Sequence, residues 1–429
     1  MPLTATIVLL FLLATIVALV AKRFRVPYTV ALVLAGLAVG GMNVLAPPVL
    51  TKELLFAVFL PGLLFEAAFH LDAEEFWQNR AAIVSLALPG VLAATLLIAP
   101  ALVGILGAIG GDQRLAWGPA FVFATLIAAT DPIAVVAIVR TLGAPARLAV
   151  LIEGESLLND GTAAVLFSLT VAYVLGVTSH AGALVWAFLY AIGVGALVGA
   201  AAGFLTARLL GWLDDPTLMI TVTTIAAYGS FVAGEALGAS GVIATVMAGL
   251  LSGRRTSLDA IHPDSRAIVR AFWDYVAFAL NSLIFLLIGL QARAPALVAA
   301  WKLVLVAYVV VTMARATVTF GLNAVHPRRW RMSGGWTAVL TWSGLRGALA
   351  LVLALGLPPS APQRDLVVTI TMGVVVLSIV IQGLTVGPLL RRLGIASDDD
   401  VSAPPPPSYA PRRGTPRQTQ AVPRRTSDP

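Results

Sequence analysis

The sequence predicts an all-α polytopic membrane protein of about 13 transmembrane helices, two inverted six-helix repeats with crossing broken helices. Three observations carry that prediction. Of 429 residues, 59% are hydrophobic and 11% charged, where soluble domains carry about 25% charge. Apolar runs of about 20 residues, the length that crosses a hydrocarbon core, recur along the chain. Lys and Arg gather at every second connection between those runs. The runs are continuous rather than alternating, which argues against a β-barrel. With no cysteine, disulfides, thiolate metal sites and cysteine nucleophiles are excluded. The four histidines show no metal-ligand spacing.

The expected spans are 3–20, 28–46, 49–71, 81–108, 116–140, 148–176, 182–210, 217–236, 239–253, 267–290, 296–323, 335–357 and 365–390. The first has no basic residue ahead of it and is followed by Lys22, Arg23 and Arg25. It therefore reads as a retained helix with its N-terminus outside, not a cleaved leader. Arg140 and Arg147, Arg254 and Arg255, Arg328, Arg329 and Arg331, and Arg391 and Arg392 fall on the side of that first cluster. The opposite side holds isolated residues such as Lys52, Arg114 and Arg364. Positive charge marks the cytoplasmic side, so the C-terminus is expected inside. The net charge of +7 is thereby assigned to membrane orientation, with no nucleic-acid partner expected. Residues 1–396 form the transmembrane domain. From Ser397 the run Ala403-Pro404-Pro405-Pro406-Pro407 and its Pro/Arg/Thr/Gln-rich sequel cannot bury a core. Residues 397–429 are expected to be a disordered cytoplasmic tail, with any regulatory module on a separate chain.

Ionisable groups inside spans are costly and point to function. Here they are Glu66, Asp131, Glu153, Glu155, Asp160, Glu235, Arg315 and Arg346. The densest run is Glu153-Gly154-Glu155-Ser156-Leu157-Leu158-Asn159-Asp160-Gly161 in segment six. At helical spacing Ser156 and Asp160 share one stripe, and Glu155 and Asn159 the neighbouring one. Such an oxygen-rich strip suits hard cations. Glu153, nearest the helix entrance, also fits a solvated acid, and Glu235 fits one facing water.

Segment five carries Thr130-Asp131-Pro132. Proline disfavours helix before it and suits the first position of a new helix, with Asp131 as cap. The segment is therefore expected to be two half-helices joined at Thr130. Segment twelve carries Thr341-Trp342-Ser343-Gly344-Leu345-Arg346-Gly347, a second expected break. Its mid-span arginine needs an acid or exposed carbonyls. Arg315 lies closer to a helix end and could instead reach the interface. With helix seven as linker, the two breaks fall in the fifth segment of each repeat, the arrangement that marks a secondary transporter's midplane site.

These residues resemble the sodium/proton antiporter family of NhaP and NHE type. The matching stretches are Leu63-Leu64-Phe65-Glu66-Ala67, Thr130-Asp131-Pro132, Gly154 to Gly161, Ser240-Gly241-Val242-Ile243-Ala244 and Gly344-Leu345-Arg346-Gly347-Ala348. The resemblance implies that Asp160 carries the exchanged cation or proton, with Thr130 and Ser156 as further oxygen ligands for sodium. It implies that Glu155 acts nearby through a bridge to Arg346, and that Asn159 occupies the place of a second aspartate in electrogenic relatives. Asp131, Arg346 and Arg315 are expected to compensate charge or hold structure. No cofactor is expected; the partners are the transported sodium ion, the proton and the lipid bilayer. The resemblance also implies a homodimer in the inner cell membrane and elevator-type motion. The core domain would span about 81–176 and 296–393, and the remaining helices would form the dimerisation domain. The long regulatory tail of animal exchangers is not matched.

Exchange is expected to be electroneutral, one proton for one cation, because Asp160 alone in this set is free to titrate. A potassium/proton antiporter fits the same residues, since the sequence does not choose among sodium, potassium and lithium. A sodium-coupled symporter on the same scaffold is a further alternative. An intramembrane protease is suggested by Gly238-Ala239-Ser240-Gly241, but His262 and His326 lie on the opposite side from Ser240. A channel needs no paired broken helices around one acid.

Overall fold

The computed structural model describes residues 3–24, 26–42, 55–109, 114–177, 180–254, 261–292, 294–327 and 331–395. The proposed tail, 397–429, lies outside the described residues. All regular structure among them is helical. The helices are α1 (Leu3–Phe24), α2 (Tyr28–Gly41), α3 (Leu60–His70), α4 (Ala73–Ala87), α5 (Pro89–Ile109), α6 (Trp117–Ile127), α7 (Ile133–Thr141), α8 (Ala146–Val174) and α9 (Ala181–Leu210). They continue as α10 (Pro216–Ala236), α11 (Gly241–Ser252), α12 (Pro263–Gln291), α13 (Ala294–Ala299), α14 (Trp301–Val325), α15 (Gly334–Trp342), α16 (Ala348–Leu355) and α17 (Arg364–Arg392). Among the described residues, eight helical stretches are long and apolar enough to cross a membrane, and four apolar helices are shorter.

Both expected interruptions are present. Helix α6 is 11 residues long, or about 16 Å at 1.5 Å per residue, roughly half a hydrocarbon core. It stops at Ile127, and α7 resumes at Ile133. Pro132 breaks the hydrogen-bond ladder, and Oδ1 of Asp131 accepts from the N–H of Ile133 at 3.0 Å. Helix α15 stops at Trp342 and α16 starts at Ala348, with Ser343 to Gly347 unwound between them. The two gaps meet directly, since the N–H of Asp131 donates to the carbonyl of Leu345 at 2.7 Å.

Two boundaries differ from the sequence expectation. The fourth span was placed at 81–108, yet its helix starts at Ala73, because Asp72 caps it by accepting from the N–H of Glu74 and Glu75. The span is also split at Leu88, where Pro89 starts a new helix with its missing donor. Similarly, the eleventh span divides into α13 and α14 at Ala300.

Close helix contacts come from small residues. Gly195, Gly199 and Gly203 place one face of α9 against the backbone of Ser240, Ala244 and Ala248 on α11. Gly36 and Gly289 do the same between α2 and α12. The buried hydrophobic side chains fall into two clusters. The smaller contains Phe65, Phe69, Met219, Ala248 and Trp273 and draws only on helices α3 and α9 to α12 and the turn ahead of α12. The larger fills α4 to α8 and α14 to α17 and extends to α1 to α3 and α10 to α12. On α9, Trp186, Leu197 and Phe204 are exposed, a face suited to lipid or another chain.

A Cβ on Gly199 would lie 2.0 Å from the carbonyl oxygen of Ala244, whereas one on Gly193 would meet nothing within 4 Å. Gly199→Ala is expected to cost about 1–3 kcal/mol by forcing α9 from α11. Gly193→Ala should be neutral or gain up to about 1 kcal/mol from helix propensity. Thermal unfolding of the two variants in detergent checks the contrast.

Candidate functional site

The site is built around the crossing. At the end of α6 the carbonyls of the last turn have no helical partner. Nη1 of Arg346 donates to three of those oxygens, Ile127 at 2.5 Å, Ala128 at 2.9 Å and Ala129 at 3.3 Å. A cation at a helix C-terminus also opposes the negative end of the macrodipole. The main-chain N–H of Arg346 donates to Oγ of Ser378 on α17 at 3.0 Å, which anchors the loop itself. Asp131 lies at the opposite pole, beside the starts of both α7 and α16. A Cβ on Gly347 would fall 2.2 Å from Cβ of Asp131 and 2.3 Å from its Oδ2, so only glycine fits there.

Glu155 does not bridge to Arg346, contrary to the expectation. Its carboxylate is held on both oxygens by Arg315 of α14, with Nη1 to Oε1 at 2.5 Å and Nη2 to Oε2 at 2.6 Å. Nη2 also donates to the carbonyl of Leu340 at 3.1 Å. Arg315 is buried rather than reaching the interface. The two-pronged guanidinium matches a carboxylate in one plane, and α14 presents it at the depth of Glu155. Arg346 was left for the carbonyls because its own loop sits on the end of α6.

Beside the crossing lies a cavity of about 70 Å³ whose lining includes Thr130, Asp131, Ser156, Asp160, Gly347 and Asn281. Leu60, Leu63, Leu64 and Ala67 of α3 form much of the facing apolar wall. Thr130 and Ser156 are hydroxyl to hydroxyl at 3.0 Å. Asp160 is partly exposed into this space, and among the described residues its carboxylate has no hydrogen-bond or ion-pair partner. Oδ1 of Asn281 is likewise buried and unpartnered. Asp160 and Asn281 therefore bring oxygen acceptors with free lone pairs to an otherwise largely apolar cavity, beside the hydroxyls of Thr130 and Ser156, chemistry that fits a small hard cation or a proton.

The structure thus brings Asp160, Thr130 and Ser156 together as the sequence suggested. It does not bring Glu155 or Asn159 into the cavity lining. Nδ2 of Asn159 donates instead to the carbonyl of Ala128 at 3.1 Å and to Oγ1 of Thr130 at 3.2 Å, so it ties α8 to the broken helix. Asp131, expected to be structural, both caps α7 and lines the cavity. Asn281 was missed; its only sequence signal is an amide inside the apolar run of α12. Glu153 pairs with half-exposed Arg140 at 2.7 Å, but it is largely buried and its Oε2 has no partner, so it is not the solvated acid that the sequence also allowed. Glu235 is exposed and accepts from the N–H of Gly241. Oγ of Ser240 caps α11 by accepting from Ile243 at 3.2 Å, a structural use of the suspected nucleophile.

Comparison with known proteins agrees with this architecture. A family model described as sodium/hydrogen exchanger, transmembrane, matches residues 8–392. The Na(+)/H(+) antiporter NhaG of Bacillus atrophaeus is 34% identical over 395 residues, covering 89% of this chain and 73% of that protein. The Na(+)/H(+) antiporter ApNhaP of Aphanothece halophytica is 35% identical over 381 residues, covering 87% and 71%. The solved structure of the sodium proton antiporter MjNhaP1 of Methanocaldococcus jannaschii at pH 8 superimposes with a TM-score of 0.74 at 19% identity, over 91% of this chain and 98% of that one. The last likeness is one of fold.

Breaking the buried pair from either side strands a charge, which typically costs about 3–5 kcal/mol. Arg315→Ala and Glu155→Ala should each lower stability by that order, and the double variant by clearly less than the sum. Arg346→Ala combined with Glu155→Ala should come closer to additive, since those side chains do not bond. Chemical denaturation of the three single and two double variants in detergent distinguishes the two patterns.

Proposed function

The chain belongs to the sodium/hydrogen exchanger family, and from that membership we propose that it exchanges sodium, or another monovalent cation, for protons at Asp160 in a one-to-one ratio. The observation that carries the proposal is the carboxylate of Asp160, unpartnered among the described residues, in a cavity it shares with Thr130, Ser156 and Asn281. An ionised carboxylate away from bulk water is costly until something positive neutralises it. A proton does so by binding one oxygen. A sodium ion does so by drawing on Asp160, Ser156, Thr130 and Asn281 together. The two compete for the same charge, so loading one releases the other.

Electroneutrality follows from what the other charges are already doing. Glu155 is closed by Arg315, Asn159 does not titrate, and Asp131 is engaged with the start of α7. Arg346 stays a guanidinium cation on the α6 carbonyls. One site then carries one charge in either direction.

Alternating access of the elevator type is supported by where the cavity lies. Its walls come from the joint between α6 and α7, from α7, α8 and α16 on one side, and from α3 and α12 on the other. Those walls correspond to the expected core (about 81–176 and 296–393) and to the expected dimerisation scaffold, the latter with its own buried cluster. In this reading the scaffold pairs with a second copy to form a homodimer in the inner cell membrane. The N-terminus is outside and the C-terminus cytoplasmic, as the basic connections favour.

Dye-monitored proton efflux from reconstituted vesicles, with sodium, lithium and potassium in turn, tests this function. Wild type should respond to at least one of the three cations. Folded Asp160→Asn should not respond to any, and residual exchange in it would refute the proposal. Asn281→Ala should raise the half-saturating cation concentration by about tenfold, as loss of one hydrogen-bond-strength ligand implies, with the maximal rate little changed.

A further inference from the structure

Away from the cation cavity, a second group of ligating side chains lies where α3 ends against α12. Glu66, His70 and Asp274 each offer an atom within 4.8 Å of the others. Nδ1 of His70 is 3.0 Å from the main-chain oxygen of Glu66 and 3.2 Å from its Oε1. Both oxygens are acceptors and hold a proton on Nδ1, and in the neutral tautomer that carries it there the lone pair lies on Nε2. Nε2 is buried and makes no hydrogen bond. It faces Oδ1 of Asp274 at 3.4 Å.

In that tautomer Nε2 and Oδ1 of Asp274 are two acceptors 3.4 Å apart, and a cation between them resolves the contact. A proton is a poor fit, because a charged N–H···O bond closes to about 2.7–2.9 Å. A metal ion is a better one. Nitrogen and oxygen ligands held at about 2.0–2.2 Å from zinc stand about 3.3–3.6 Å apart along a tetrahedral edge. A carboxylate behind the other ring nitrogen, as Glu66 is here, is the usual outer partner of a metal-bound histidine. Asp274 is 52% exposed, which gives an entry path and room for water as the remaining ligands.

We propose that His70 and Asp274 bind a divalent transition-metal ion of the zinc class, with Glu66 as the positioning residue that orients the imidazole. The ion joins α3 to α12. Leu63 and Ala67 of α3, and Asn281 and Ile284 of α12, line the cation cavity, so an occupied site stiffens that wall and cancels negative charge beside it. Metal binding is then expected to slow exchange, a consequence that rests on the function proposed above. The sequence concealed this site because its ligands lie on helices far apart in the chain.

Cobalt(II) titration of the purified full chain in detergent, followed by visible absorption, tests the site without any transport step. Wild type should show a saturable d–d band that zinc displaces. His70→Ala and Asp274→Asn should lose it, and Glu66→Gln should weaken affinity by about 10–100-fold, as outer-shell changes do. No saturable band, or the same band in His70→Ala, would overturn the proposal. In vesicles, zinc should slow wild-type exchange but not that of His70→Ala, while the two match without metal. A wild-type rate indifferent to saturating zinc would refute the regulatory consequence. Loss of exchange in every sample, with the cobalt band intact, would count against the transport reading alone.

Discussion

A backbone group left unpaired at membrane depth costs several kcal/mol, and this chain breaks two helices there. Each break is made tolerable by the other. Arg346, from one interruption, closes the open carbonyls of α6. Asp131, from the other, supplies an acceptor for the new helix start and a donor for Leu345. Gly347 has no side chain because Asp131 occupies the space one would need. Asn159 then fastens α8 to the same joint through Ala128 and Thr130. The placement of Asp160 beside Thr130 and Ser156 depends on all of these contacts.

Charges in the site divide into those that are committed and one that is not. Glu155 and Arg315 neutralise each other in a buried two-pronged contact. Arg346 and Asp131 are spent on helix ends. Asp160 lies in the same region, yet faces a cavity and has no partner among the described residues. A protein has little to gain in stability from such a group, which is the reason to look for its use in transport.

Much of this was legible in the sequence because it is local. Pro132 after Asp131, two glycines around Arg346, and the i, i+4 spacing of Ser156 and Asp160 each act within a few residues. The interruptions therefore emerged where expected, and of the oxygen strip Ser156 and Asp160 reach the cavity while Glu155 and Asn159 do not. What was not legible depends on the rotation and depth of helices distant in sequence. Glu155 could have met either arginine, and the choice of Arg315 is set by how α14 docks on α8. Asn159 shares a strip with Glu155 but turns toward α6, because the carbonyl of Ala128 is exposed there. Asn281 has no local pattern, and although Glu66 and His70 are spaced i, i+4, nothing local brings Asp274 of α12 to them.

The central claim is that one carboxylate carries all the exchanged charge, and it makes a direct electrical prediction. Sodium-driven proton flux can be measured in vesicles whose membrane potential is clamped with potassium and valinomycin at several values. If Asp160 alone alternates between proton and cation, the sodium-to-proton ratio is one and the rate is insensitive to the clamped potential. A rate that rises steeply with potential, with a ratio other than one, would show that a second group titrates and would contradict the account.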